Sequence, residues 1–441
     1  MTRDQSTEGG GQGAGRQLES TTTGLANRLL EVVRALAVEM APERARMTVS
    51  LDADLDRTLG FDSLSRMELL LRLERALGVR FSETDFSQAE TPRDLLQAAV
   101  AATRTTTVFP TAAESEPLVL GAADAIPPDI DTLQEVLAWR SRHQGERTHV
   151  LLYEADSDVP VRITFGDLHQ ASERLAAGLI AEQLKPGEAV AIMLPTSRDY
   201  LETFFGVLLA GGTPVPIYPP ARPSQLEDHL RRHAKILANA GAVVLVTVPE
   251  GLKVGRLLKH QVEGLRAVLT PEALRAHESA YMPVPASPGD VAFLQYTSGS
   301  TGQPKGVILT HADLLANIRA MGDWVHASSE DVFVSWLPLY HDMGLIGAWL
   351  GSLYHAMLSV LMPPTAFLTR PSRWLEAVHQ HRATITAAPN FAWALCVSRI
   401  PDEVVAGLDL SSLRLVFNGA EPVRPETLRA FRDRFQPAGL D

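Results

Sequence analysis

From residue 132 onward, short apolar runs alternate with longer amphipathic stretches, and no other feature restricts the fold as much. The pattern predicts helices at 132–144, 165–183, 198–211, 224–240, 311–325, 371–381 and 425–435. Between them it predicts strands at Ala189–Leu194, Thr213–Ile217, Ala242–Val246, Val291–Tyr296, 331–337, 384–387 and Leu413–Phe417, with Ile163-Thr164 capping the helix that starts at 165. Apolar strands between helices make a largely parallel sheet covered on both faces, an α/β fold. At 441 residues and 45% hydrophobic composition, two or three folded units are expected. No internal repeat of fixed length is evident.

One loop interrupts this rhythm with different chemistry. Residues 297–306 read Thr-Ser-Gly-Ser-Thr-Gly-Gln-Pro-Lys-Gly, in a chain whose only lysines are Lys185, Lys235, Lys253, Lys259 and Lys305. Glycines let backbone N–H groups approach an anion, the hydroxyls of Thr297, Ser298, Ser300 and Thr301 add donors, and Lys305 adds charge. Following an apolar strand, the loop should leave the carboxyl edge of a sheet, where nucleotides bind. A flexible Ser/Gly linker does not fit a stretch held between that strand and Val307-Ile308-Leu309. A Walker loop is excluded because Gln303-Pro304 separates Gly302 from Lys305, and Gly-x-Gly-x-x-Gly is absent.

Composition narrows the functional classes. Formal charge is −12, from 52 acidic and 40 basic residues with no block of like sign, which disfavours nucleic-acid binding. Cys396 is the only cysteine, so neither an intrachain disulfide nor a cysteine-rich zinc site can form, and a reducing cytoplasm is expected. Residues 1–23, rich in Gly, Thr and Gln, read as a disordered tail with no signal peptide. Leu345–Met362 lacks formal charge and is long enough to span a membrane, yet Gly347, Gly351, Ser352, His355 and Ser359 interrupt it. A buried helix running into a strand is the expectation there.

Residues 24–102 carry a different pattern. Leu25, Leu29, Val32, Val33 and Leu36 recur at helical spacing, as do Leu64, Met67, Leu70, Leu71 and Leu77 before Gly78, and Thr91-Pro92 opens a helix running through Val100. These form a small helical bundle. Asp62 suits an N-cap, leaving Ser63 in the first turn, where an attached phosphodiester meets the positive helix end. Residues 103–131, with Pro110, Pro117, Pro127 and Pro128, read as a linker.

Two resemblances give these motifs a chemical setting. The 297–306 loop resembles the signature loop of adenylate-forming enzymes. Leu294-Gln295-Tyr296, Ile217-Tyr218-Pro219-Pro220-Ala221-Arg222-Pro223, Trp336-Leu337-Pro338-Leu339-Tyr340-His341-Asp342-Met343-Gly344, Ala388-Pro389-Asn390-Phe391 and Asn418-Gly419-Ala420-Glu421-Pro422 look like its fatty acyl-AMP ligase branch. Agreement runs from about residue 131 to the end. Upstream, Leu59-Gly60-Phe61-Asp62-Ser63-Leu64 resembles the attachment site of an acyl or peptidyl carrier domain, so Ser63 is expected to carry phosphopantetheine. The implied architecture is a small all-α four-helix carrier bundle over 24–102, followed by the N-terminal part of an α/β adenylation domain over 132–441.

The resemblance implies that ATP and a fatty acid give an acyl-adenylate and pyrophosphate, after which a thiol takes the acyl group. Joining AMP to the carboxylate supplies a good leaving group. Thr297, Ser298, Gly299, Ser300, Thr301, Gly302 and Lys305 would stabilise the departing pyrophosphate. Asn418, Gly419, Ala420 and Glu421 would cradle the adenine, though Asn-Gly is also a common turn pair. Trp336, Tyr340 and His341 would wall the acyl pocket. No protein metal site is expected, magnesium arriving with ATP. Expected partners are a phosphopantetheinyl transferase and downstream synthase or carrier domains.

The family's Tyr-Gly-x-Thr/Ala-Glu segment, hinge and C-terminal lysine domain have no counterpart before Asp441, and Lys305, in another motif, cannot replace that lysine. Feeble adenylation by the isolated chain is therefore expected. Two other readings stand beside the ligase: a carrier protein whose adenylation half is inert, and amino-acid adenylation as in peptide synthetases.

Overall fold

The computed structural model describes residues 11–40, 49–55, 58–59, 61, 69, 72–73, 76–77, 79, 81, 89–104, 121–154, 157–218, 226–297 and 304–440, with backbone only at 11–23, 39–40, 102–104 and 226–229. The chain divides into two compact units, Met1–Thr111 and Ala112–Asp441.

In the first unit, helix Gly11–Met40 packs against helix Pro92–Arg104. Leu29, Val33, Leu36 and Ala37 are buried at helical spacing, as are Leu95, Leu96 and Ala99. The second helix opens on a reciprocal cap. Thr91 N and Oγ1 both donate to Asp94 Oδ2 at 2.8 Å, and Asp94 N returns to Thr91 Oγ1 at 3.3 Å. The first helix begins at Gly11, inside the stretch whose composition reads as a tail. The second runs past Val100 to Arg104. The sequence-based expectations for Asp62, Ser63, Leu64, Met67, Leu70 and Leu71 fall outside the described residues.

The second unit stacks two sheets where the alternation suggested one. The six-stranded sheet runs β12 (Leu415–Asn418), β11 (Ile385–Ala388), β9 (Val332–Ser335), β10 (Leu358–Leu361), β1 (Thr148–Leu152) and β2 (Val161–Thr164). All its pairings are parallel except β1 with β2. The four-stranded sheet runs β4 (Thr213–Pro216), β3 (Ala189–Met193), β5 (Ala242–Thr247) and β6 (Ala267–Leu269), all parallel.

Side-chain alternation explains the layering. On β1, Val150 and Leu152 enter the central core while Leu151, with Tyr153 just past the strand, enters an outer one. On β3, Val190 and Ile192 join that same central core, and Ala189, Ala191 and Met193 join a third. Helices Leu133–Gln144, Phe165–Ala181, Arg198–Leu209 and His311–Val325 therefore lie between the sheets, sharing one core. Each begins on a side-chain cap, from Thr132, Thr164, Ser197 and Thr310 respectively.

Three sequence expectations are revised. The Val291–Thr297 strand, β7, pairs antiparallel with β8 (Lys305–Thr310) and is not a strand of a parallel sheet; residues 298–303 fall outside the described residues. Asn418 is the last residue of β12, which begins at Leu415 and not at Leu413. The end of the stretch read as linker is packed down. Ile126 is 8% exposed in the central core, Arg147 donates to the carbonyls of Gly121 (2.6 Å), Ser329 (2.5 Å) and Ala356 (3.2 Å), and Arg140 donates to that of Asp124 (2.6 Å).

The uncharged stretch folds as a buried π-helix, Met343–Leu350, then a short α-helix, Gly351–His355, then β10. Trp349 of the π-helix sits edge-on among Tyr200, Phe204 and Phe205. No described helix is long and apolar enough to cross a membrane.

Candidate functional site

The segment Trp336–Gly344 follows the carboxyl end of β9, and buried side chains hold its backbone. Tyr200 Oη donates to the Leu339 carbonyl at 2.6 Å, and Gln295 Nε2 to the next carbonyl, Tyr340, also at 2.6 Å. A β-carbon on Gly344 would meet the carbonyl oxygens of Leu337 and Pro338, so the loop closes there on a bare glycine. The Tyr340 ring lies 5.9 Å from that of Tyr218, just past β4.

Other strand ends reach the same place. Trp336, 3% exposed, stacks on Phe367 at 4.0 Å and meets Phe391 edge-on at 6.1 Å. Phe391 N donates to Glu421 Oε1 at 2.5 Å, linking the ends of β11 and β12, whose last residues Ala388 and Asn418 are register partners. Gly419 N donates to Ala388 O at 3.3 Å, and the space beside Gly419 is bounded by Met343 Sδ. The carboxyl ends of β9, β11 and β12 and the end of β7 thus converge, the position where open α/β sheets take ligands. Among the described residues, Gln295 Oε1, Trp336 Nε1 and Asn418 Oδ1 find no hydrogen-bond partner at this junction.

The electrostatics are local. His341 Nδ1 lies 2.6 Å from Asp342 Oδ1, which raises the imidazole pKa above its usual value and lowers the carboxyl pKa; both side chains are exposed. Burial raises the Tyr340 phenol. Among the described residues no group of three or more His, Cys, Asp or Glu is gathered to hold a metal ion.

The structure brings Trp336, Tyr340, His341, Asn418, Gly419, Ala420 and Glu421 to one junction. Thr297 and Lys305 face each other as register partners at the hairpin end, both exposed. Ser298, Gly299, Ser300, Thr301, Gly302 and Ser63 lie outside the described residues. Sequence reasoning gave no role to Tyr200, Gln295 or Asn390. A lone amide inside the apolar strand Val291–Thr297 was the available signal for Gln295, whereas Tyr200 sits in an ordinary amphipathic helix with none.

The family model for AMP-binding enzymes matches residues 137–440, and that for the phosphopantetheine attachment site matches residues 31–99. A medium-chain-fatty-acid–acyl-carrier-protein ligase of Teredinibacter turnerae is 33% identical over 320 residues, covering 63% of this chain and 49% of that protein. A 4-hydroxyphenylalkanoate adenylyltransferase of Mycobacterium tuberculosis is 37% identical over 277 residues, covering 60% and 44%. Among solved structures, the fatty acyl-adenylate ligase from Legionella pneumophila in complex with acyl adenylate and pyrophosphate superposes with a TM-score of 0.65 at 35% identity, covering 71% of this chain and 54% of that one. The chain spans about half the length of the curated relatives it matches.

Proposed function

The chain belongs to the AMP-binding enzyme family, and from that premise we propose that it activates a fatty acid as its acyl-adenylate for transfer to a phosphopantetheine thiol on a carrier domain. The observation that carries the reading is the convergence of the 336–344, 388–391 and 418–421 segments at the carboxyl ends of parallel strands, beside the end of β7. Residues 24–102 are read as a four-helix carrier bundle with Ser63 as its attachment site, and 132–441 as adenylation domain.

In this reading Asn418–Glu421 receive the adenine, and Trp336, Tyr340 and His341 border the acyl chain. Thr297–Gly302 and Lys305 take the phosphates. As the carboxylate attacks the α-phosphate, charge grows on the leaving pyrophosphate. Lys305, exposed at the head of β8, is free to meet it. Magnesium enters on the triphosphate oxygens, which supply most of its ligands. Ser63 would be loaded by a phosphopantetheinyl transferase, and the thioester passed to downstream synthase or carrier domains.

The test is fatty-acid-dependent exchange of labelled pyrophosphate into ATP, with direct ATP binding measured alongside. Both should be lost in Lys305→Ala. Coexpression with a phosphopantetheinyl transferase should add a phosphopantetheine mass that Ser63→Ala abolishes. An ATP affinity unaltered in Lys305→Ala would refute the role given to residues 297–305. Absence of both exchange and ATP binding, with Ser63 still modified, would leave the carrier as the working part.

A further inference from the structure

Ala420 adopts φ +66°, a left-handed conformation that costs a non-glycine residue free energy and persists only where neighbours hold it. Those neighbours come from one short segment at the end of β11. Ala388 O accepts from Gly419 N on one side of Ala420, and Phe391 N donates to Glu421 on the other. Between them stands Asn390, 6% exposed. Its Oδ1 accepts from Arg424 N at 2.9 Å and from Asn418 Nδ2 at 3.4 Å, and its Nδ2 donates to Thr427 Oγ1 at 3.3 Å. One carboxamide thus grips the turn at its first residue, at its last and at the helix Pro425–Phe435 that follows.

We propose that Asn390 is the positioning residue of the adenine-receiving turn: it fixes Asn418–Arg424 in shape without itself meeting the nucleotide. The proposal rests on the nucleotide reading above. Its chemistry is an acceptor shared by two donors inside a buried site, which an aliphatic residue of similar size cannot supply and an aspartate can. With Asp at 390, the Thr427 hydroxyl can rotate and donate to the carboxylate, so the third link is also recoverable.

The experiment measures binding of ATP and of lauric acid to the full chain, with amide hydrogen exchange across 415–430, for the native protein, Asn390→Ala, Asn390→Leu and Asn390→Asp. In the Ala and Leu variants ATP affinity should fall roughly tenfold, the loss expected when buried hydrogen bonds go unmade. Lauric acid affinity should hold, and exchange should quicken at 419–424 while β11 stays protected. Asn390→Asp should return ATP affinity to within about threefold of native. Equal loss of both ligands, or native ATP affinity in Asn390→Ala, would overturn the positioning role while leaving the nucleotide reading standing. No ATP binding by the native chain would overturn both.

Discussion

Gln295 Nε2 donates to the carbonyl of Tyr340 at 2.6 Å, fastening the end of β7 to the loop that leaves β9. One residue earlier in that loop, the Leu339 carbonyl takes the Tyr200 hydroxyl. Consecutive peptide groups are therefore held by side chains from a hairpin and from a helix, and the aromatic segment after Trp336 has a fixed course before any ligand arrives. Pre-setting of this kind lowers the ordering cost of binding.

Gln295→Ala removes the donor and leaves a carbonyl without its partner. Chemical denaturation should show a loss of roughly 1–3 kcal/mol. Tyr218 and Tyr340 should separate, and fatty-acid affinity should drop with them. Unchanged affinity would mean that the loop is held by Tyr200 alone.

Gly344→Ala presses a methyl group against the Leu337 and Pro338 carbonyls, both backbone and unable to swing aside. The strain should cost about 1–3 kcal/mol, visible as a lower thermal midpoint. Gly347→Ala provides the comparison, because nothing lies within 4 Å of a β-carbon there. Equal midpoints for the two variants would contradict the closure described for this loop.

Arg147→Ala should release Gly121–Ile130. Three carbonyls lose their donor, for a destabilisation of roughly 1–3 kcal/mol. Hydrogen exchange should quicken selectively at 121–130 while β1 and β10 keep their protection. Native protection across 121–130 would show that burial of Ile126 suffices to hold the segment.

Stability should fall as pH drops from about 6.5 toward 4. Burial lowers His149 to about 3 and both His311 and His381 to about 4, from an ordinary 6.5. Leu133 N–H donates to His311 Nδ1 at 3.2 Å, a bond that needs the lone pair. In that window the unfolded chain binds protons that the folded chain refuses, so acid favours unfolding by about 1.4 kcal/mol per pH unit for each histidine. Asp331, lowered from 3.8 with Arg414 beside it, acts only below that range. His341, raised by Asp342, has the opposite sign: its pair is fully stabilising below 6.5 and is lost as pH rises through the raised value. Urea midpoints at pH 7.5, 6 and 5 would measure the trend, and His381→Gln should lessen it. A flat profile would show these imidazoles to be solvated.

The amino-acid sequence by itself determined the elements: the helix starting at His311, the strands centred on Val190 and Val244, and the Thr164 cap all follow from periodicity and hydrogen bonds among residues a few positions apart. By resemblance it also singled out the 336–344 and 418–421 segments as expected site residues, and 388–391 as a family match with no role attached. Only the tertiary structure decided that the strands divide between two stacked sheets, that β7 turns back on β8, and that residues 121–131 pack down. The same holds for the links that gather the site, since Gln295 and Tyr340 are 45 positions apart and Tyr200 and Leu339 are 139 apart. A lone polar residue in a strand or helix shows that a partner is needed, but which carbonyl it meets depends on how the layers stack, and no local pattern encodes that.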